Sequence, residues 1–244
     1  MEKVINGVKI NYILYGEGED TLVLLHGWGQ NIEMMKPIGD KLFKEHKILI
    51  VDLPGFGKSD EPKSEWMLDD YVSILHDLFK ELSIENIVLI GHSFGGKISL
   101  LYASKYNIKK LVLLASPFKK EIQKLSLKTK ILKTAKKVPI LNKLEGFAKK
   151  KIGSTDYRNA SDIMRKILVN HVNLDISEDV KKINCPTLII WGSNDTTIPL
   201  ERAYELEKLI KDSGVVVFEN CTHYAYLERI NQTIMVLKSF LGGE

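Results

Sequence analysis

The sequence predicts an α/β fold, a mostly parallel sheet covered by helices and entered through an antiparallel hairpin. Three observations carry that reading. Continuous apolar runs of four or five residues recur along the chain, the pattern of strands buried on both faces of a parallel sheet. Stretches with apolar residues at three- and four-residue spacing lie between them, as helices laid on such a sheet require. Near the start, Asn6-Gly7 precedes a segment that alternates in the strand manner, and Asn-Gly is a favoured pair for a two-residue hairpin turn.

In chain order, residues 8–15 form the alternating strand after that turn. Residues 22–25, 48–51, 87–90, 111–114, 188–191 and 215–218 are the continuous runs, and residues 67–82 and 201–211 are helical stretches between them. Residues 118–175 break the rhythm. Leu127, Ile131, Ala135 and Val138 make one helical stripe, closed by Pro139, and Leu144, Phe147, Ala148 and Ile152 make a second. Ser161 is placed to cap a third helix carrying Ile163, Ile167 and His171. This segment reads as a helical insertion, a cap on a core formed by residues 1–117 and 176–244.

Composition narrows the function classes. With 44% hydrophobic and 27% charged residues in 244, the chain is not disordered. Its apolar runs fall far short of the ~20 residues that cross a bilayer, so no membrane insertion is expected. No basic-then-apolar leader opens the sequence, and Cys185 and Cys221 supply neither a disulfide framework nor a zinc-ligand spacing. The expectation is a cytoplasmic protein with no metal and no cofactor. Charge collects in the insertion: residues 119–175 hold 13 Lys and 2 Arg against 5 Asp and Glu, a net of +10 in a chain of net +4. Such a surface is either a solvated face or a guide for an acidic partner, an acyl carrier protein among them. Nucleic-acid binding has no motif. Gly57-Lys58-Ser59 resembles the end of a phosphate-binding loop, but the glycine required five positions earlier is Asp52, so the stretch reads as a structural turn.

The chemistry-bearing motif is Gly91-His92-Ser93-Phe94-Gly95-Gly96, directly after the run 87–90 and directly before a helical pattern. A serine at a strand–turn–helix junction sits in strained backbone, its hydroxyl at the carboxyl end of the sheet near a helix N-terminus. Its hydroxyl becomes nucleophilic only when a base takes its proton and a carboxylate orients that base. Of the six histidines, His223 alone follows the last apolar run. Asp195 follows the run 188–191, and in isolation it reads as a turn residue or helix cap. Together the three occur in the order nucleophile, acid, base, each in the loop after its own strand. The developing oxyanion needs two fixed N–H donors. The backbone N–H of Phe94 is one, and that of Trp28, in the Gly-rich turn His26-Gly27-Trp28-Gly29, is the other.

These residues resemble the α/β-hydrolase family across nearly the whole chain: the His26-Gly27 turn, the stretch from Asp52 to Asp60, the Gly91 to Gly96 elbow, and the Asp195 and His223 loops. The resemblance implies an eight-stranded, mostly parallel sheet with a helical cap inserted after the sixth strand, where residues 118–175 fall. It implies the triad Ser93, Asp195 and His223, the oxyanion donors Trp28 and Phe94, and hydrolysis of a small-molecule carboxylic ester through an acyl-enzyme. Serine at the elbow separates the chain from branches that carry aspartate there. The His-Gly-Trp-Gly turn and short cap are also similar to the esterase that demethylates pimeloyl-carrier-protein in biotin synthesis. Relatives with the same motifs include carbon–carbon bond hydrolases, a menaquinone-pathway lyase, cofactor-free perhydrolases and slow-turnover signalling receptors. Cys221-Thr222 departs from the glycine found there in many relatives, a change expected to affect loop packing more than chemistry.

Overall fold

A computed structural model of the chain describes residues 1–120 and 160–242. Eight strands form one sheet: β1 (Glu2–Ile5), β2 (Val8–Tyr15), β3 (Thr21–Leu25), β4 (Lys47–Val51), β5 (Ile87–His92), β6 (Lys110–Leu114), β7 (Thr187–Gly192) and β8 (Ser213–Phe218). Their order is β1-β2-β4-β3-β5-β6-β7-β8. The pairs β1–β2 and β2–β4 are antiparallel, and every later pairing is parallel. Asn6 and Gly7 make the expected two-residue turn, both at positive φ (49° and 78°), with Ile5 opposite Val8.

Alternation along each central strand divides the core in two. On one face Val23, Leu25, Leu49 and Leu89 pack against helices α2 (Leu68–Glu81) and α3 (Phe94–Ala103). On the other, Leu22, Leu24, Ile48 and Ile90 pack against α1 (Ile32–Leu42) and the C-terminal helix α8 (Ile230–Leu241). The remaining helices among the described residues are α4 (Asp162–Asn173), α5 (Ser177–Val180), α6 (Glu201–Leu209) and α7 (Ala225–Glu228). None of the described helices is long and apolar enough to cross a membrane.

Strand β3 sits between β4 and β5, so the chain leaves it first to one side and then to the other. The carboxyl ends of strands flanking such a switch point open a crevice, and that is where open α/β sheets place their sites. The turn after β3 carries Trp28, and the turn after β5 carries Ser93.

Two expectations for the sheet and its turns are refined. Residues 215–218 read as a strand buried on both faces, yet Val215, Val216 and Val217 are half-buried, because β8 is the sheet's edge strand. The turn at 52–60 is structural, and its organiser is Asp52. The Asp52 carboxylate accepts from the backbone N–H of Ile32 at the start of α1 (2.8 Å) and of Lys58 (2.8 Å), and from Asn11 Nδ2 on β2 (2.7 Å).

Of the region read as an insertion, α4 is described. Ser161 caps it, its hydroxyl accepting from Met164 N, and Met164, Ile167 and His171 face inward. The stripes at 127–138 and 144–152, Pro139, and most of the lysines lie outside the described residues. Where the chain departs and returns, the Ile176 N–H donates to the Phe118 carbonyl at 2.9 Å.

Candidate active site

Ser93 occupies the sharpest turn in this region. Its backbone lies at φ 49°, ψ −110°, a conformation costing a non-glycine residue on the order of 1–3 kcal/mol. The surroundings hold it there. Its N–H donates to the Leu114 carbonyl on β6 (2.9 Å), and its own carbonyl accepts from Lys97 N in the first turn of α3 (3.0 Å). Gly95 permits the close packing that completes the turn. The Gly95 N–H donates to the His26 carbonyl (3.1 Å), and a Cβ at Gly95 would stand 2.4 Å from the Leu25 carbonyl oxygen. The turn after β3 is thereby pressed against the N-terminus of α3.

That turn is braced by two rings. His26 is fully buried, and burial pushes its pKa down to about 4, so the ring is neutral. Its Nε2 accepts from Leu53 N (3.0 Å), which leaves Nδ1 as the donor to the Gly27 carbonyl (2.7 Å). The Trp28 indole is half-buried and meets Phe56 and Phe94 edge-on, with centroids 4.9 and 5.2 Å away. Among the described residues, the backbone N–H groups of Trp28 and Phe94 have no acceptor.

The turns after β7 and β8 are laced together. Asn194 N donates to the Cys221 carbonyl (2.9 Å), and Asn220 N donates to Ser193 Oγ (2.8 Å). Within this frame the Asp195 carboxylate is divided between two tasks. Oδ1 accepts from Thr197 N (2.8 Å) and Ile198 N (2.9 Å), and Oδ2 accepts from His223 Nδ1 at 2.7 Å. The Asp195 side chain has no exposed surface and that of His223 is 10% exposed. Cys221 is buried, and Thr222 binds Glu228 at the end of α7 through both its N–H (3.0 Å) and its hydroxyl.

His92 links the two halves. It precedes Ser93, is fully buried, and has its pKa pushed down to about 3 by desolvation and then by the neighbouring His223. The His92 Nε2–H donates to the backbone carbonyl of His223 (3.1 Å), and the two rings lie 4.9 Å apart. The structure thus brings together Ser93, Phe94, Trp28, Asp195 and His223 at one end of the sheet. Among the described residues, Asp195 and His223 are hydrogen-bonded to each other, whereas no hydrogen bond joins Ser93 Oγ to the His223 ring.

One residue of this region was placed by sequence only as a helix position. His171 on α4 lies over Trp28 with near-parallel planes (6.2 Å, 5°) and packs edge-on against Phe94 at 4.4 Å. The sequence placed it on one helix with Ile163 and Ile167, and nothing local named the rings that receive it.

Comparison with known proteins places the fold. A family model described as alpha/beta hydrolase fold matches residues 20–129 and 139–230. A protein named Lipase 3 from Moraxella sp. (strain TA144) is 28% identical, covering 95% of this chain and 81% of its own. A 2-hydroxy-6-oxononadienedioate/2-hydroxy-6-oxononatrienedioate hydrolase from Pseudomonas putida is 26% identical, covering 96% and 92%. Among solved structures, an esterase from Exiguobacterium antarcticum shares the fold with TM-score 0.79 at 24% identity, over 99% of each chain.

Proposed function

The chain belongs to the alpha/beta hydrolase fold family, and from that premise we propose that it hydrolyses carboxylic esters through an acyl-enzyme on Ser93. In this reading Ser93 Oγ attacks the ester carbonyl carbon while His223 Nε2 takes its proton. Asp195 keeps the His223 proton on Nδ1 and stabilises the imidazolium that forms. The tetrahedral oxyanion is received by the N–H groups of Trp28 and Phe94. Collapse expels the alcohol, protonated by His223; water, deprotonated by the same ring, then releases the acid and restores the serine.

The observation that carries the proposal is the buried Asp195–His223 pair, held by His92, the residue that precedes a strained serine. The N–H groups of Trp28 and Phe94, without an acceptor among the described residues and one of them at a helix N-terminus, support the oxyanion assignment. The remaining contact, Ser93 Oγ to His223 Nε2, is of the kind that tightens when substrate seats the nucleophile. Residues 118–175 are the cap of this site in the same reading, supported by the packing of α4 over Trp28 and Phe94.

The test is labelling and turnover. A fluorophosphonate should react covalently with the parent protein and not with Ser93→Ala, and p-nitrophenyl butyrate hydrolysis should fall by about 10⁶-fold in the variant. Equal turnover by Ser93→Ala and parent would sink the assignment.

A further inference from the structure

His171 is 8% exposed, yet its Nδ1 has no hydrogen-bond partner among the described residues. Native proteins rarely leave a buried polar side-chain atom unsatisfied, so such an atom points to a partner beyond the described residues. Burial, and then the Lys97 ammonium, hold the imidazole pKa well below its ordinary value, so the ring is neutral and presents one N–H and one lone pair. Its place is fixed. Lys97 Nζ, on α3 one turn beyond Ser93, donates to the backbone carbonyls of His171 (2.8 Å) and Leu174 (2.6 Å), pinning the end of α4 to the helix that begins at the elbow.

The ring lines a narrow cleft with Trp66, Leu68, Tyr71, Phe94 and Ile167. Its wall is mainly apolar and aromatic, and no charged side chain among the described residues lines it. Phe94 connects this cleft to the elbow, since it follows Ser93 in the chain and lies 4.4 Å from the His171 ring. The cleft is small, about 10 Å³, room for one oxygen-sized group. With no ion in the wall, the fitting partner is an uncharged oxygen group rather than a carboxylate.

We propose that His171 is a specificity-determining residue that hydrogen-bonds a hydroxyl or keto oxygen on the acyl part of the substrate. The proposal rests on the ester-hydrolase reading of Ser93 and deepens it. The probes are p-nitrophenyl butyrate and p-nitrophenyl 3-hydroxybutyrate, compared by kcat/KM. The parent should favour the hydroxylated ester by about tenfold, the equivalent of one neutral hydrogen bond. The readout is the ratio between the two esters, which in His171→Phe, with a flat ring retained against Trp28 and Phe94, should fall to about one, mainly through KM. His171→Gln, which retains hydrogen-bonding capacity, should recover part of the preference.

A parent that treats the two esters alike, or a preference unchanged in His171→Phe, overturns the role of His171 and leaves the hydrolase reading standing. Failure of the parent to turn over either ester, with no fluorophosphonate labelling, removes both.

Discussion

Replacing Asp195 by asparagine probes the part of the site whose hydrogen bonding is most fully determined. Oδ1 already serves two backbone donors, Thr197 N and Ile198 N, and Oδ2 serves His223 Nδ1. An amide has a single oxygen. With that oxygen at the Oδ1 position, both backbone donors stay satisfied, and the NH2 group faces His223. The reverse orientation would set NH2 against two N–H groups in a side chain with no exposed surface, at about 1–3 kcal/mol for each donor left unpaired. The first orientation therefore wins by several kcal/mol. It obliges Nδ1 to be the unprotonated nitrogen, so the proton moves to Nε2 and the ring cannot accept one from Ser93. The expected loss is about 10⁴-fold in kcat, or ~5.5 kcal/mol of barrier. Stability should change by no more than about 1 kcal/mol, because each hydrogen bond has a replacement. The assay is kcat on p-nitrophenyl butyrate beside a urea-unfolding curve. An Asp195→Asn protein with an unshifted midpoint and kcat within tenfold of the parent would refute the tautomer argument and reduce the pair to a structural contact.

Gly95→Ala would place a Cβ 2.4 Å from the Leu25 carbonyl oxygen and 2.6 Å from that of His26, both backbone, so the turn carrying Trp28 must move. Expected are a loss of about 1–3 kcal/mol in urea-unfolding free energy and a drop of roughly 100-fold in kcat/KM; unaltered kinetics would contradict the account of the turn. A second expectation concerns acid. His26 and His92 are held down to about 4 and about 3 in the folded protein, against ~6.5 when unfolded, so below that value the unfolded chain binds protons that the native state refuses. Their contribution is complete above pH 6.5 and is lost as the pH falls toward 4 and then 3, which amounts to about 4 kcal/mol for the two by pH 5. Unfolding free energies that stay level between pH 7.5 and 5 would show that these rings do not resist protonation.

The parts of the fold visible in the sequence are those where one residue type does one local job. Asn6-Gly7 demands a primed turn, Ser161 demands a helix start, and Gly91 to Gly96 demands a tight strand-to-helix passage; each stands where it was expected. What stayed hidden depends on partners far along the chain. Asp52 sits in a glycine-rich turn, and only the folded chain brings Ile32 and Asn11 to its carboxylate. Helix α1 carries Pro37 in its interior, a residue that argues against a helix, and it is sustained by the Asn31 cap and by burial of Met35 and Ile38. The three valines of β8 read the same at a sheet's edge as at its centre, because strand position is a property of the sheet. His171 shows the same limit at the candidate site: the sequence placed it on a helix, and tertiary packing alone supplied Trp28 and Phe94.

The hydrogen bond from Ile176 to Phe118 brings together the two ends of the intervening polypeptide, a branch of the chain. Lengthening, shortening or re-sequencing that branch leaves the β6–β7 register untouched, since the two strands are already aligned by their own ladder. Under the proposed cap reading, one scaffold can in this way exchange what covers the candidate site while the sheet beneath keeps its alignment, so that selectivity and chemistry are free to change separately.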